Sequence, residues 1–171
     1  MNLFGGIEPG GTKFVCGIGT GLDNLDVTSF PTNSPQESVR QAVEFFQGKA
    51  PGLTALGVAS FGPLDLDRTS PTYCYITMTP KTAWRNFHIV GSLRKALSVP
   101  VAFETDVNAA AVAEARWGAA RDVEDCACIT VGTGIGGGLF VKGRAVHGLL
   151  HLDRPANNQM AGQVHGFHSS P

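Results

Sequence analysis

The glycine turn Pro9-Gly10-Gly11 lies between two strand-like runs, Leu3 to Glu8 and Thr12 to Gly19, and this placement constrains the chain more than any other feature. A glycine turn that opens onto a helix makes a nucleotide-binding strand-turn-helix unit, whereas one that opens onto a second strand makes an antiparallel hairpin. A further strand-like run, Leu25 to Phe30, follows the turn Gly21-Leu22-Asp23-Asn24, so the chain begins as a β-meander. The pattern starts again after Gly118: Cys126 to Val131, a glycine turn at Gly132 to Gly137, Gly138 to Val141, a Lys142-Gly143 turn, and Ala145 to Leu149. Duplication of one meander-plus-helices unit explains this repetition, and a single β-rich domain is the alternative.

Helices and further strands separate the meanders. Ser34 can cap the first helix, Pro35 suits its first position, Glu37 completes a capping box, and Val39, Ala42, Val43 and Phe46 recur at helical spacing. Ala55 to Ser60 reads as a buried strand ending in the loop Phe61 to Asp65. Val90, Leu93 and Leu97 give a second helix one apolar stripe, and Pro100 to Thr105 reads as the next strand. A third helix is expected from about Asn108 to Trp117, stopped by Gly118. The resulting division is an α/β lobe at 1–118, the start of a second, incomplete lobe at 119–151, and a tail at 152–171 with no hydrophobic period.

The formal net charge of the 171 residues is −1, with acidic and basic side chains scattered, which gives no electrostatic reason to expect nucleic acid or an anionic membrane as partner. Met1 to Phe4 lacks a signal-peptide pattern and no run is long enough to span a bilayer, so a soluble, cytoplasmic protein acting on a small molecule is expected. Cys16, Cys74, Cys126 and Cys128 form no zinc-type Cys-x-x-Cys pair, and Cys16, Cys126 and Cys128 sit in apolar runs as small buried hydrophobes.

Both meanders put glycine and threonine at their first turn: Gly10, Gly11, Thr12 and Lys13 in one, Gly132, Thr133 and Gly134 in the other. Glycine lets backbone N–H groups approach a phosphate and threonine adds a hydroxyl donor, although either turn taken singly is explained by conformation. Between them Asp106 falls where a buried strand meets a helix. A carboxylate there can take the proton of an attacking hydroxyl, and a plain helix N-cap is the competing reading.

In order along the chain, Gly6-Ile-Glu-Pro-Gly-Gly-Thr-Lys13, Ser60-Phe-Gly-Pro63, Thr79-Pro-Lys-Thr-Ala-Trp84, Thr105-Asp-Val-Asn-Ala-Ala110 and Gly132-Thr-Gly-Ile-Gly-Gly137 resemble the ROK family (repressor, open reading frame, kinase), and especially its bacterial fructokinases, from about Gly5 to His151. The resemblance implies the actin-like ATPase fold and phosphoryl transfer from Mg-ATP to a hexose, fructose above all. It makes Asp106 the general base and Asn108 a holder of sugar hydroxyls. Ser60, Gly62, Pro63, Thr105 and His151 complete the expected sugar site, and both glycine turns face the phosphates. Glu8 stands where much of this fold has Asp and is expected to position hydrated Mg2+. Lys13 can neutralise phosphate or be an exposed strand lysine. Trp84 can shape the sugar pocket, although a lone tryptophan is more often core.

The family continues after His151 with a sugar-binding glutamate and a His/Cys zinc motif, whereas this chain reads Leu152-Asp153-Arg154-Pro155. Asp153 falls near that glutamate, and His165 and His168 lack the cysteine a zinc site needs, so zinc is expected in full-length relatives but not here. The expectation is an N-terminal half, truncated or frameshifted after about His151. Beside a fructokinase stand two other functions: a catalytically incompetent fragment that binds sugar or a partner, and a sugar-responsive regulator, for whose helix-turn-helix Met1 leaves no room. Full-length relatives are expected to be homodimers.

Overall fold

The computed structural model describes residues 2–49, 52–131 and 135–147. The opening hairpin forms as expected: β1 (Leu3–Pro9) pairs antiparallel with β2 (Lys13–Gly19), which pairs antiparallel with β3 (Asp26–Pro31). The chain then crosses through α1 (Pro35–Gln47) to β4 (Leu53–Ser60), and through α2 (Ile89–Leu97) to β5 (Val101–Thr105). β4 lies parallel to β1 and β5 parallel to β4, so the sheet order is β3-β2-β1-β4-β5. α3 (Asp106–Trp117) leads to a second antiparallel sheet of β6 (Cys126–Val131), β7 (Ile135–Val141) and β8 (Arg144–Ala145).

α1 begins where its sequence signals place it. The Ser34 hydroxyl accepts from the Glu37 backbone N–H, and Pro35 fills the first turn. The Glu37 side chain, expected to complete a capping box, instead holds Arg40 and Gln41. Ala42 and Phe46 are buried and Val39 and Val43 half-buried, so the helical stripe faces the sheet. Val90 and Leu93 of α2 join it over Ile7, Phe14, Cys16, Leu56 and Val58. Burial pushes the Cys16 thiol up to about 12, which makes it an inert core residue.

The connection at 61–88 contributes more core than its loop-like sequence suggests. Leu64 and Ile76 are fully buried, and isolated bridges link Leu64 to Ile76 and Ile76 to Phe87. Trp84 is 1% exposed, contacts the rings of Phe14, Phe61 and Phe87, and donates its indole N–H to the Asn33 carbonyl. It is a core residue whose faces are occupied by other rings, and so has no face to offer a sugar. Within this connection His88 stacks on Tyr75, and burial with the nearby Arg94 holds the imidazole below its ordinary pKa.

Two expectations about boundaries need correction. α3 starts at Asp106, two residues before the expected Asn108, because Thr105 supplies the cap. The glycine turn expected to run to Gly137 is shorter, because Ile135 to Gly138 belong to β7. Those glycines answer a packing demand: a β-carbon at Gly138 would lie 2.1 Å from the Val107 carbonyl oxygen of α3, and one at Gly136 would lie 2.7 Å from Val107 Cγ1. The expected third strand of the second meander, Ala145 to Leu149, is confined to Arg144–Ala145 among the described residues. The tail from 152 lies outside them.

Gly138→Ala is expected to lower stability by about 1–3 kcal/mol. Gly137→Ala, where a β-carbon meets nothing within 4 Å, should cost much less. Urea unfolding of the two variants side by side checks this. The depressed pKa of His88 means that the folded protein binds its proton less readily than the unfolded chain, whose imidazole titrates near pH 6.5. Its contribution to stability is therefore complete above about pH 6.5 and lost as the pH falls below it. Urea midpoints at about pH 7.5 and about pH 5.5 should fall more steeply for the wild type than for His88→Phe, which keeps a ring on Tyr75 but cannot titrate.

Candidate functional site

The carboxyl end of β5 runs directly into α3, and this junction carries the titratable group best placed for chemistry. Thr105 has extended backbone angles, and its Oγ1 accepts from the Asn108 backbone N–H at 3.2 Å, which makes Thr105 the N-cap. Asp106 is thus the first residue of the helix and not its cap. Asp106 Oδ1 accepts from the Val107 N–H at 2.9 Å, and the side chain is half-buried. Burial raises its pKa above the usual carboxylate range despite the backbone N–H groups that oppose the shift. A carboxylate raised in this way accepts a proton more readily than a solvated aspartate.

The β1–β2 turn lies at the end of β1, which β4 separates from β5 in the sheet. Gly10 N–H donates to the Lys13 carbonyl at 2.8 Å, and a β-carbon at Gly10 would come within 2.7 Å of that same oxygen, so the tight turn requires glycine. Thr32, just past β3, braces it, donating its hydroxyl to the Gly10 carbonyl at 2.7 Å and its N–H to the Thr12 carbonyl at 2.9 Å. Gly11, Thr12 and Lys13 remain exposed. Backbone N–H groups on a braced, open glycine turn suit a phosphate.

Glu8 stands at the end of β1, exposed, with Ala59 of β4 beside it and Glu104 of β5 beyond. The two carboxylate residues therefore share one sheet face about 10 Å apart at the usual strand spacing. Both border a cleft of about 620 Å³ whose other lining is apolar or small, including Gly6, Val15, Gly17, Val27, Gly57 and Ala102. The cleft's floor suits an apolar group, and its charged end includes Glu104, near the end of β5. An exposed carboxylate beside an open phosphate turn fits a magnesium ion that keeps most of its water.

Other expected sugar ligands are more deeply engaged. Ser60 is fully buried and donates its hydroxyl to the Phe61 carbonyl at 3.0 Å. Gly62 and Pro63 are half-buried, and the Pro63 carbonyl accepts from both the N–H and the hydroxyl of Thr77. The Asn108 amide nitrogen donates to Glu104 Oε1 at 3.2 Å and to the Val146 carbonyl at 3.3 Å, which uses both its protons and leaves its carbonyl oxygen for a ligand. Gly132, Thr133, Gly134 and His151 lie outside the described residues. The sequence reading did not single out the contact between Glu104 Oε2 and His147 Nε2, at 2.7 Å. Glu104 adjoins the Asp106 motif, but nothing in the linear pattern pairs it with a histidine from the second meander.

A half-buried carboxyl with a raised pKa favours its protonated form, so its contribution to folding is present at low pH and lost as the pH rises through the folded-state pKa. Asp106→Asn is therefore expected to raise stability at pH 7, and the gain should vanish below about pH 4, where the unfolded carboxyl also holds its proton. Urea midpoints at both pH values check the sign.

The fold and much of the sequence are shared with known proteins. The fructokinase of Zymomonas mobilis is 44% identical over 154 residues, covering 87% of this chain and 51% of that protein. The fructokinase of Streptococcus mutans is 41% identical over 152 residues, covering 88% and 51%. A ROK family glucokinase from Streptomyces griseus, solved with glucose and AMPPNP, superposes with a TM-score of 0.73 at 27% identity, over 86% of this chain and 47% of that one. The chain spans about half the length of the relatives it matches. Residues 4–151 match the model of the ROK family, and with its actin-like ATPase fold the chain belongs to the ROK family.

Proposed function

We propose that this chain carries the catalytic base and first phosphate turn of an ATP-dependent hexose kinase that converts D-fructose to fructose 6-phosphate. The observation that carries the reading is Asp106: a half-buried carboxylate with a raised pKa, held at the β5–α3 junction. Asp106 takes the proton of the sugar's C6 hydroxyl as that oxygen bonds to the γ-phosphorus and the bond from phosphorus to the ADP oxygen breaks. Gly10, Gly11, Thr12 and Lys13 receive the phosphates, and Gly132, Thr133 and Gly134 act as further phosphate-binding residues. Glu8 orients the water shell of Mg2+, which supplies charge neutralisation when bound. The Asn108 carbonyl accepts a sugar hydroxyl, and Thr105, Ser60, Gly62 and Pro63 shape the wall behind it, with His151 as a further sugar contact.

In this reading 1–118 is the first lobe and 119–151 begins the second, and the full-length enzyme is a cytoplasmic homodimer. Fructose stands ahead of glucose because the fructokinases match at 41–44% identity and a glucokinase of Streptomyces coelicolor at 28%. A second reading, a non-catalytic half that binds sugar or a partner, draws on the bare outer face of the second sheet. There Ile129, Val131 and Ile135 are 70%, 80% and 82% exposed. Uncovered apolar surface of this kind needs further polypeptide to bury it.

An assay of ATP-dependent phosphorylation of fructose, mannose and glucose tests both. Turnover preferring fructose, reduced by about 10²–10⁴-fold in Asp106→Asn, is the expected result. Fructose binding without turnover in folded protein establishes the second reading in place of the first.

A further inference from the structure

Asp106 Oδ1 is held by the backbone N–H of the next residue, so the direction of its carboxylate follows the first turn of α3. That turn is tied to the second sheet through the side chains of Glu104 and Asn108. Glu104 Oε1 accepts from the Thr105 N–H at 2.9 Å and from Asn108 Nδ2 at 3.2 Å, both at the start of α3. Its other oxygen, Oε2, accepts from His147 Nε2 at 2.7 Å, beyond the end of β8. Asn108 adds a parallel link to the Val146 carbonyl, and the Val146 N–H returns to the Leu139 carbonyl of β7. β7 is the strand that leaves the second glycine turn.

We infer that Glu104 is a positioning residue, which together with His147 clamps the start of α3 to the second sheet and so fixes the direction of Asp106 at the β5–α3 junction. Glu104 need touch neither sugar nor nucleotide. Its two oxygens are divided between the units that must stay in register, and cutting either link lets the helix start tilt away from β7 and admits water to Asp106. The consequence for chemistry rests on the kinase reading above, since a misdirected base slows transfer while sugar binding is retained.

The test uses Glu104→Ala, His147→Ala and the double variant of the full chain, with His147→Gln as the conservative variant that keeps a side-chain N–H donor. A double-mutant cycle in urea is expected to show non-additive effects. The 13C carboxyl titration of Asp106 is expected to fall toward the ordinary aspartate range in both alanine variants, to be restored in His147→Gln, and to stay unmoved in the remote Glu37→Gln. In the phosphorylation assay kcat should drop about tenfold or more in either alanine variant, with KM for fructose changed by less than about twofold. Additive stabilities, or coupling with an unmoved Asp106 titration, overturn the proposal even if the chain phosphorylates fructose. Coupling with a shifted titration in a chain that does not turn over upholds the clamp and removes the catalytic reading instead.

Discussion

The carbonyl of Val107 approaches Gly138 so closely that no side chain fits between them, and this backbone contact between the first turn of α3 and β7 is what the rest of the site depends on. It sets the start of α3, at the carboxyl end of the mixed first sheet, directly against the antiparallel second sheet. Helix α3 touches strands of both sheets and serves as their common wall. Because the contact is made by main chain, it tolerates no larger residue at Gly138, and the glycines of β7 follow from packing as much as from any ligand.

The candidate base lies beside that contact. Burial at the junction raises the pKa of Asp106, and the same burial gives Asn108 internal partners for both its amide protons. The β1–β2 turn, by contrast, is braced from behind by Thr32 and left open in front. In the proposed reading, a sheltered base and an exposed glycine turn would divide the labour of phosphoryl transfer, with the reacting oxygen where water is scarce and the charged phosphates where cations can reach them. The bare, small-residue face of the first sheet and the apolar face of the second show that these two sheets alone leave considerable surface uncovered.

Much of the first sheet was legible in the residues. Strand-like runs around glycine turns marked β1 to β3, and Ser34-Pro35 marked the start of α1 to the residue. The loop at 61–88 was not legible as core, because Leu64, Cys74, Ile76 and Trp84 recur with neither helical nor strand period; isolated bridges and ring contacts bury them instead. The start of α3 was placed late because Asp, Val and Asn are indifferent helix formers, and the cap that decides the matter, Thr105, closes the preceding strand. Trp84 could be read as core or as a sugar platform until its neighbours were known.

The sequence by itself determined the alternation of strand and helix, the glycine turn that must lead into a strand, and an aspartate at a strand-helix junction. These are local matters, settled by backbone conformation and side-chain period within a few residues. Only the tertiary structure decided that Thr105 and not Asp106 caps α3, that the glycines of β7 make room for a helix, and that Glu104 reaches His147 across the two sheets. Those outcomes depend on which residues distant in the chain are brought within a few ångströms, and on which polar groups find partners there. No spacing along a single strand or helix encodes that.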